Sequence, residues 1–157
     1  MTRAMRAATR TTATTPASPA KPAHSAKSAK TPATSRTWVP ERGDVIWIDC
    51  NPQVGREMRD MHPMLVLSPR AFNARTSIVI GLPMTSSLSN QGNPFALDVS
   101  RNVSTGGREP SFVLCHQPKS FDWRHRRASP HPWKRLPNAQ LAAACEGLNE
   151  IVNLTAN

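Results

Sequence analysis

From Val45 to Cys50 the side chains alternate, with Ile46, Ile48 and Cys50 falling on one side and Val45, Trp47 and Asp49 on the other. Alternation with a period of two marks a strand, here with its first face in a core and its second partly exposed. Asn51-Pro52 ends it. Four further short runs follow: Met64 to Leu67, closed by Ser68-Pro69; Ser77 to Leu82, closed by Pro83; Phe95 to Val99; and Ser111 to Gln117. Short strands separated by polar turns predict a mainly β fold, a small and strongly bent barrel or sandwich.

The pattern changes near the carboxy terminus. After Pro137-Asn138, the residues Leu141, Cys145, Leu148 and Val152 recur at spacings of four, three and four. That stripe predicts one amphipathic helix lying over the sheet. Gly147 lowers its helix propensity by up to about 1 kcal/mol relative to alanine without breaking the stripe. Arg124 to Pro132 reads as a basic loop leading to this helix.

Residues 1–37 show no apolar periodicity and are dominated by Ala, Thr, Ser and Pro, which predicts a disordered leader ahead of a single domain over 38–157. Charge sharpens that division. The leader holds seven basic residues and no acid, so it carries +7 of the net +10. Such a segment suits a targeting peptide, a polyanion tether or a functionless extension. Nothing approaches the roughly 20 consecutive apolar residues of a membrane span. Three widely spaced cysteines, Cys50, Cys115 and Cys145, argue against a disulfide framework and a zinc knuckle. A reduced, cytoplasmic protein is expected.

Motifs for nucleotide hydrolysis, hydride transfer, zinc proteolysis and the nucleophile elbow of α/β hydrolases are missing. The carboxylates are few and scattered, which leaves no basis for a two-metal nuclease centre. No metal and no cofactor are expected.

Chemistry concentrates in the segment Gly55 to Pro63, where Arg56, Glu57, Arg59, Asp60 and His62 combine cations with proton-exchanging groups. A phosphodiester could use all of them, through guanidinium forks, an orienting carboxylate and an imidazole; a solvated charged loop would look the same. Thr85 and Ser86 follow the third strand and place hydroxyls where a phosphate could be bound, although both are also ordinary turn residues. Trp123 with Arg124, Arg126 and Arg127 makes an aromatic and basic patch suited to stacking bases, and Trp133 with Lys134 and Arg135 repeats it. Each tryptophan taken singly is as well explained by packing.

In order along the chain, Gly43-Asp44-Val45-Ile46-Trp47-Ile48-Asp49, Gly55-x-Glu57, His62-Pro63 before Leu65-Val66-Leu67-Ser68-Pro69, Pro83-Met84-Thr85, Asn93-Pro94-Phe95 and Gln117-x-Lys119-Ser120 with Trp123-Arg124 resemble the MazF/PemK family of toxin endoribonucleases. The resemblance spans nearly all of Val39 to Val152. It implies an SH3-like barrel of about five to seven short strands with a terminal helix, a homodimer, and sequence-specific, metal-independent cleavage of single-stranded RNA. The implied partners are RNA and a cognate antitoxin, with DNA reached only through the antitoxin complex.

The family's usual catalytic pair is an arginine just before the proline of the second strand and a threonine after the third. The threonine matches Thr85, whereas His62 occupies the arginine position. Either His62 exchanges protons while Arg56 or Arg59 supplies the fixed charge, or activity is weakened. Gln117, Lys119, Trp123, Arg124 and Ser86 are then expected along the RNA path, and Glu57 either fixes the loop or touches substrate. The competing readings are a toxin-like module that binds RNA or antitoxin without cutting, and a gyrase-inhibiting toxin.

Overall fold

The computed structural model describes residues 38–100 and 109–154; the expected leader lies outside them. Seven strands form one antiparallel sheet: β1 (Asp44–Asp49), β2 (Met61–Val66), β3 (Ile78–Thr85), β4 (Ala96–Asp98), β5 (Phe112–Leu114), β6 (Lys119–Asp122) and β7 (Ser129–Arg135). Among the described residues they are accompanied by two α-helices, α1 (Arg70–Thr76) and α2 (Asn138–Val152), and a 3-10 turn at Leu88–Asn90. The bonded order is β4-β5-β3-β2-β1-β7, with β6 pairing on β3 as well. The sheet bends sharply because β3 serves β6 with its first half and β5 with its last two residues. No ladder joins β4 to β7, so the expected barrel is not closed by hydrogen bonds.

The central strands bury both faces. On one face Val45, Leu65, Leu82, Met84 and Val113 meet Ala144 of α2, with Leu141 and Leu148 packed around them. On the other, Ile46, Ile48, Cys50, Met64, Val66 and Val79 meet Phe121 and Trp123. Fully burying a side chain such as Ile48 or Leu65 stabilises the fold by about 1.5–3 kcal/mol. The expectation of a half-exposed second face on β1 therefore fails at Val45, which is sealed beneath α2, and holds at Trp47 and Asp49. Cys50 and Cys115 are buried, as their alternation implies.

Proline misled the strand boundaries at three places. β3 runs through Pro83, paired with Met64, to Thr85, because a proline withholds one ladder donor while the flanking residues stay extended. The segment assigned to a basic loop contains β7 with both Pro130 and Pro132, tolerated because β7 is an edge that pairs with β1 alone. His62-Pro63 likewise belongs to β2 rather than to a loop.

Helix α1 has no apolar stripe to announce it. It is held instead by Asn73, whose buried amide donates to the carbonyls of Pro40 at 2.8 Å and Ser68 at 3.2 Å. At its end Ser77 takes a left-handed conformation and donates to the Asn73 carbonyl. Helix α2 matches its predicted span, but its most buried residue is Ala144, and Val152 is exposed. Gly147 lets the helix approach Cys115, the residue just after β5, closely, since a Cβ there would lie 3.1 Å from Cys115 Sγ.

Candidate functional site

A cleft of about 580 Å³ opens where β1, β2, β3 and β7 meet. His62 enters from the start of β2, and Thr85 from the end of β3 with Ser86 beside it. Their neighbourhood follows from strand register: Met64 pairs with Pro83 and Leu65 with Leu82, so continuing the antiparallel ladder outward sets His62 across from Thr85. The Thr85 hydroxyl oxygen accepts the Ser87 N–H at 3.2 Å, which leaves its own hydrogen available to donate.

Trp47, His131 and Trp133 give the cleft an aromatic wall. Trp47 and His131 approach with ring centroids 4.7 Å apart and a tilt of 48°, and His131 meets Trp133 edge-on at 5.3 Å. His131 is buried, and burial pushes its pKa below the ordinary histidine value. Its Nδ1 accepts the Trp133 backbone N–H at 3.1 Å, so the neutral ring carries its proton on Nε2. These three residues were not singled out together in the sequence. The signal was present in β7, where His131 and Trp133 stand two apart, but the flanking prolines masked the alternation.

Arg56 and Glu57 lie elsewhere, in a second hollow of about 340 Å³ with His116, Gln117 and Lys119. Lys119 Nζ contacts Glu57 Oε2 at 2.8 Å. Hydrogen bonding and charge from Lys119 hold the Glu57 carboxyl below the usual glutamate range. Glu57 thus fixes its loop through a lysine of β6. Gln117 Oε1 is buried there with no hydrogen-bond partner among the described residues. Arg59 is exposed and lies 3.9 Å from Asp60. The structure therefore brings His62, Thr85 and Ser86 together and sets Arg56, Glu57, Gln117 and Lys119 in a separate group. No lysine or arginine lines the first cleft among the described residues, whereas Glu109 does.

The base of the 51–60 loop is tied. Asn51 Nδ2 donates to Asp60 Oδ1, and the Asp60 N–H returns to Asn51 Oδ1, each at 3.2 Å. Asp60 has φ of 63°, a left-handed conformation that the reciprocal pair secures. Arg126 donates to the carbonyls of Asp49, at 2.9 Å, and Asn51, while Arg127 meets Asp49 Oδ2 at 2.8 Å. The backbone N–H of Asn51 and the guanidinium of Arg127 hold the Asp49 carboxyl below its usual range.

The expected stacking patch at Trp123 needs correction. Trp123 is only 5% exposed; its indole N–H donates to the Asn73 carbonyl at 3.0 Å, and its ring packs edge-on against Trp38. Arg124 lies over that ring at 4.6 Å. A ring already enclosed by α1 and residue 38 has no face to offer a base, and neither Trp123 nor Arg124 lines the cleft. Arg126 and Arg127 are likewise engaged in holding the loop.

Among the described residues, no helix is long and apolar enough to cross a membrane. Residues 41–152 match the family model described as PemK-like, MazF-like toxin of type II toxin-antitoxin system. The endoribonuclease toxin MazF of Escherichia coli K12 is 35% identical over 92 residues, covering 59% of this chain and 77% of that protein. Endoribonuclease PemK of Escherichia coli is 33% identical over 89 residues, 55% of this chain and 63% of that protein. The crystal structure of MazF from Deinococcus radiodurans aligns with a TM-score of 0.65 at 32% identity, covering 74% of this chain and 99% of that one. A MazE-MazF structure from the same organism aligns at a TM-score of 0.61 and 30% identity, covering 75% of this chain and all of that one.

Proposed function

The chain belongs to the PemK-like, MazF-like toxin family of type II toxin-antitoxin systems, and on that premise we propose that it is a toxin endoribonuclease cutting single-stranded RNA at short sequence motifs without a metal ion. Its partners are RNA, a second copy of the chain and a cognate antitoxin that silences it; related MazE-MazF complexes support the last. DNA is met only through the antitoxin complex. The work is done in the cytoplasm, where the RNA is.

The carrying observation is the convergence of His62 and Thr85 in one cleft. In the reaction, the ribose 2′-oxygen bonds to the adjacent phosphorus while the bond from phosphorus to the 5′-oxygen breaks. The products are a 2′,3′-cyclic phosphate and a 5′-hydroxyl end. His62 exchanges the proton, taking it from the 2′-hydroxyl or giving it to the departing 5′-oxygen, with solvent supplying the complementary step. The Thr85 hydroxyl donates to a phosphoryl oxygen and stabilises charge as it develops. Arg56 is the better candidate for fixed charge, since it lies with Lys119 in the second hollow whereas Arg59 faces Asp60.

One observation favours a second reading, a module that holds RNA or antitoxin without efficient cutting: Glu109, and no described lysine or arginine, lines the cleft. Incubation with a long unstructured RNA in chelator, with fragment ends mapped, decides between them. Discrete 5′-hydroxyl ends lost in both His62→Ala and Thr85→Ala support the nuclease; intact RNA with a folded dimer moves the function to binding.

A further inference from the structure

We propose that Trp47, His131 and Trp133 form a nucleobase subsite that selects a keto base, uracil or guanine, over an amino base beside the scissile phosphate. The proposal rests on the reading of the cleft as an RNA site and deepens it by naming which base the aromatic wall accepts.

Three features carry it. The wall shares a cleft with His62 and Thr85, so a base held there belongs to a nucleotide adjoining the reacting phosphate. Trp47 and Trp133 are partly exposed and flank His131 at ring distances of 4.7 and 5.3 Å, giving apolar surface on which an unstacked base can lie. The His131 ring is fixed in one tautomer by the Trp133 N–H on Nδ1. No partner meets its Nε2 among the described residues, and His131 is itself part of the cleft lining.

A ring fixed in this way can only donate. Protonation would set two N–H groups against each other at Nδ1, and burial opposes the charge as well. His131 is therefore not the proton-exchanging group of the reaction. What it offers is an N–H aimed at an acceptor, satisfied by O4 of uracil or O6 of guanine. The amino group of cytosine or adenine at the same place would face it donor to donor, leaving the ring's hydrogen unpaired.

The test separates base choice from cleavage. Tryptophan fluorescence is titrated with 2′-O-methyl oligouridine and oligocytidine, which cannot be cut, and unmodified RNA is assayed for cleavage in parallel. The expected result is tighter binding of the uridine strand by about threefold to tenfold, the value of one hydrogen bond. His131→Phe, which keeps a stacking ring, abolishes the difference while binding persists. On the unaltered protein, a strand of 2-pyrimidinone nucleotides, which lack the 4-oxygen, falls to the cytidine level. Equal binding of uridine and cytidine strands, or a preference that survives His131→Phe or loss of the 4-oxygen, overturns the proposal. Uncut RNA with the base preference intact removes the nuclease reading and leaves the subsite standing.

Discussion

Lys119 of β6 reaches Glu57 of the loop between β1 and β2, Nζ to Oε2, at 2.8 Å. The lysine side chain is 18% exposed and the glutamate 51%, so the less accessible cation is covered by a more accessible carboxylate. With Lys119 on the RNA path, an arriving phosphate would compete with Glu57 for the ammonium. Glu57→Gln is therefore expected to bind single-stranded RNA more tightly, with a slope of log affinity against log salt steeper by about 0.7 for one released counterion. Binding isotherms across a salt series measure it, and an unchanged slope would remove Lys119 from the RNA path.

The same pair has a pH signature. The Glu57 carboxyl is held below its ordinary value chiefly by Lys119, so its contribution to stability is present above the unfolded-state pKa and is lost as pH falls through the lower folded one. Thermal unfolding of Glu57→Gln against the unaltered protein should differ at neutral pH and converge in acid. The difference is small because the carboxylate is largely in water.

His62→Ala is expected to lower cleavage by about 10²- to 10⁴-fold, the usual worth of a positioned proton-exchanging group. Thr85→Ala is expected to lower it by about 10²- to 10³-fold, as for loss of one donor to developing charge. Neither should shift the unfolding midpoint appreciably, since neither belongs to a core cluster.

His131 is expected to titrate below the ordinary histidine value, because burial opposes its charge. Between its unfolded and folded pKa values the unfolded chain binds the extra proton. Stability from this group is thus complete above the unfolded value near 6.5 and declines as pH falls toward the folded one. Proton NMR of the ring follows the titration, and His131→Phe should flatten that part of the acid-side decline.

Gly81→Ala should fail to fold or lose about 3 kcal/mol or more. A Cβ there would stand 2.2 Å from the Leu65 carbonyl oxygen, a backbone atom of the neighbouring strand that cannot swing aside. Circular dichroism and denaturant unfolding of the purified variant test this directly.

What could be read from the chain depended on whether a residue's role was local. Alternation at Ile46, Ile48 and Cys50 and the helical stripe through Leu141 and Leu148 declare themselves through a few neighbours, and both elements are where their periods put them. His62 and Thr85 were legible through motif order, and strand pairing unites them. Trp123 and Arg126 were misjudged because an aromatic beside arginines looks alike in a groove or in a core; only the Asn73 carbonyl and the loop backbone, distant in sequence, reveal what they hold. His131 was hidden by Pro130 and Pro132, which suggest a loop until β1 supplies a partner strand.

Because the central strands are sealed on both sides, stability and recognition are written in separate parts of the alphabet. Residues at strand ends and rims, His62 and Thr85 among them, can be exchanged during descent without opening either core. A lineage of such toxins can therefore drift in the RNA word it reads, and its antitoxin can follow, one rim residue at a time. A histidine at position 62, where the family resemblance leads one to expect arginine, is the kind of change this arrangement permits.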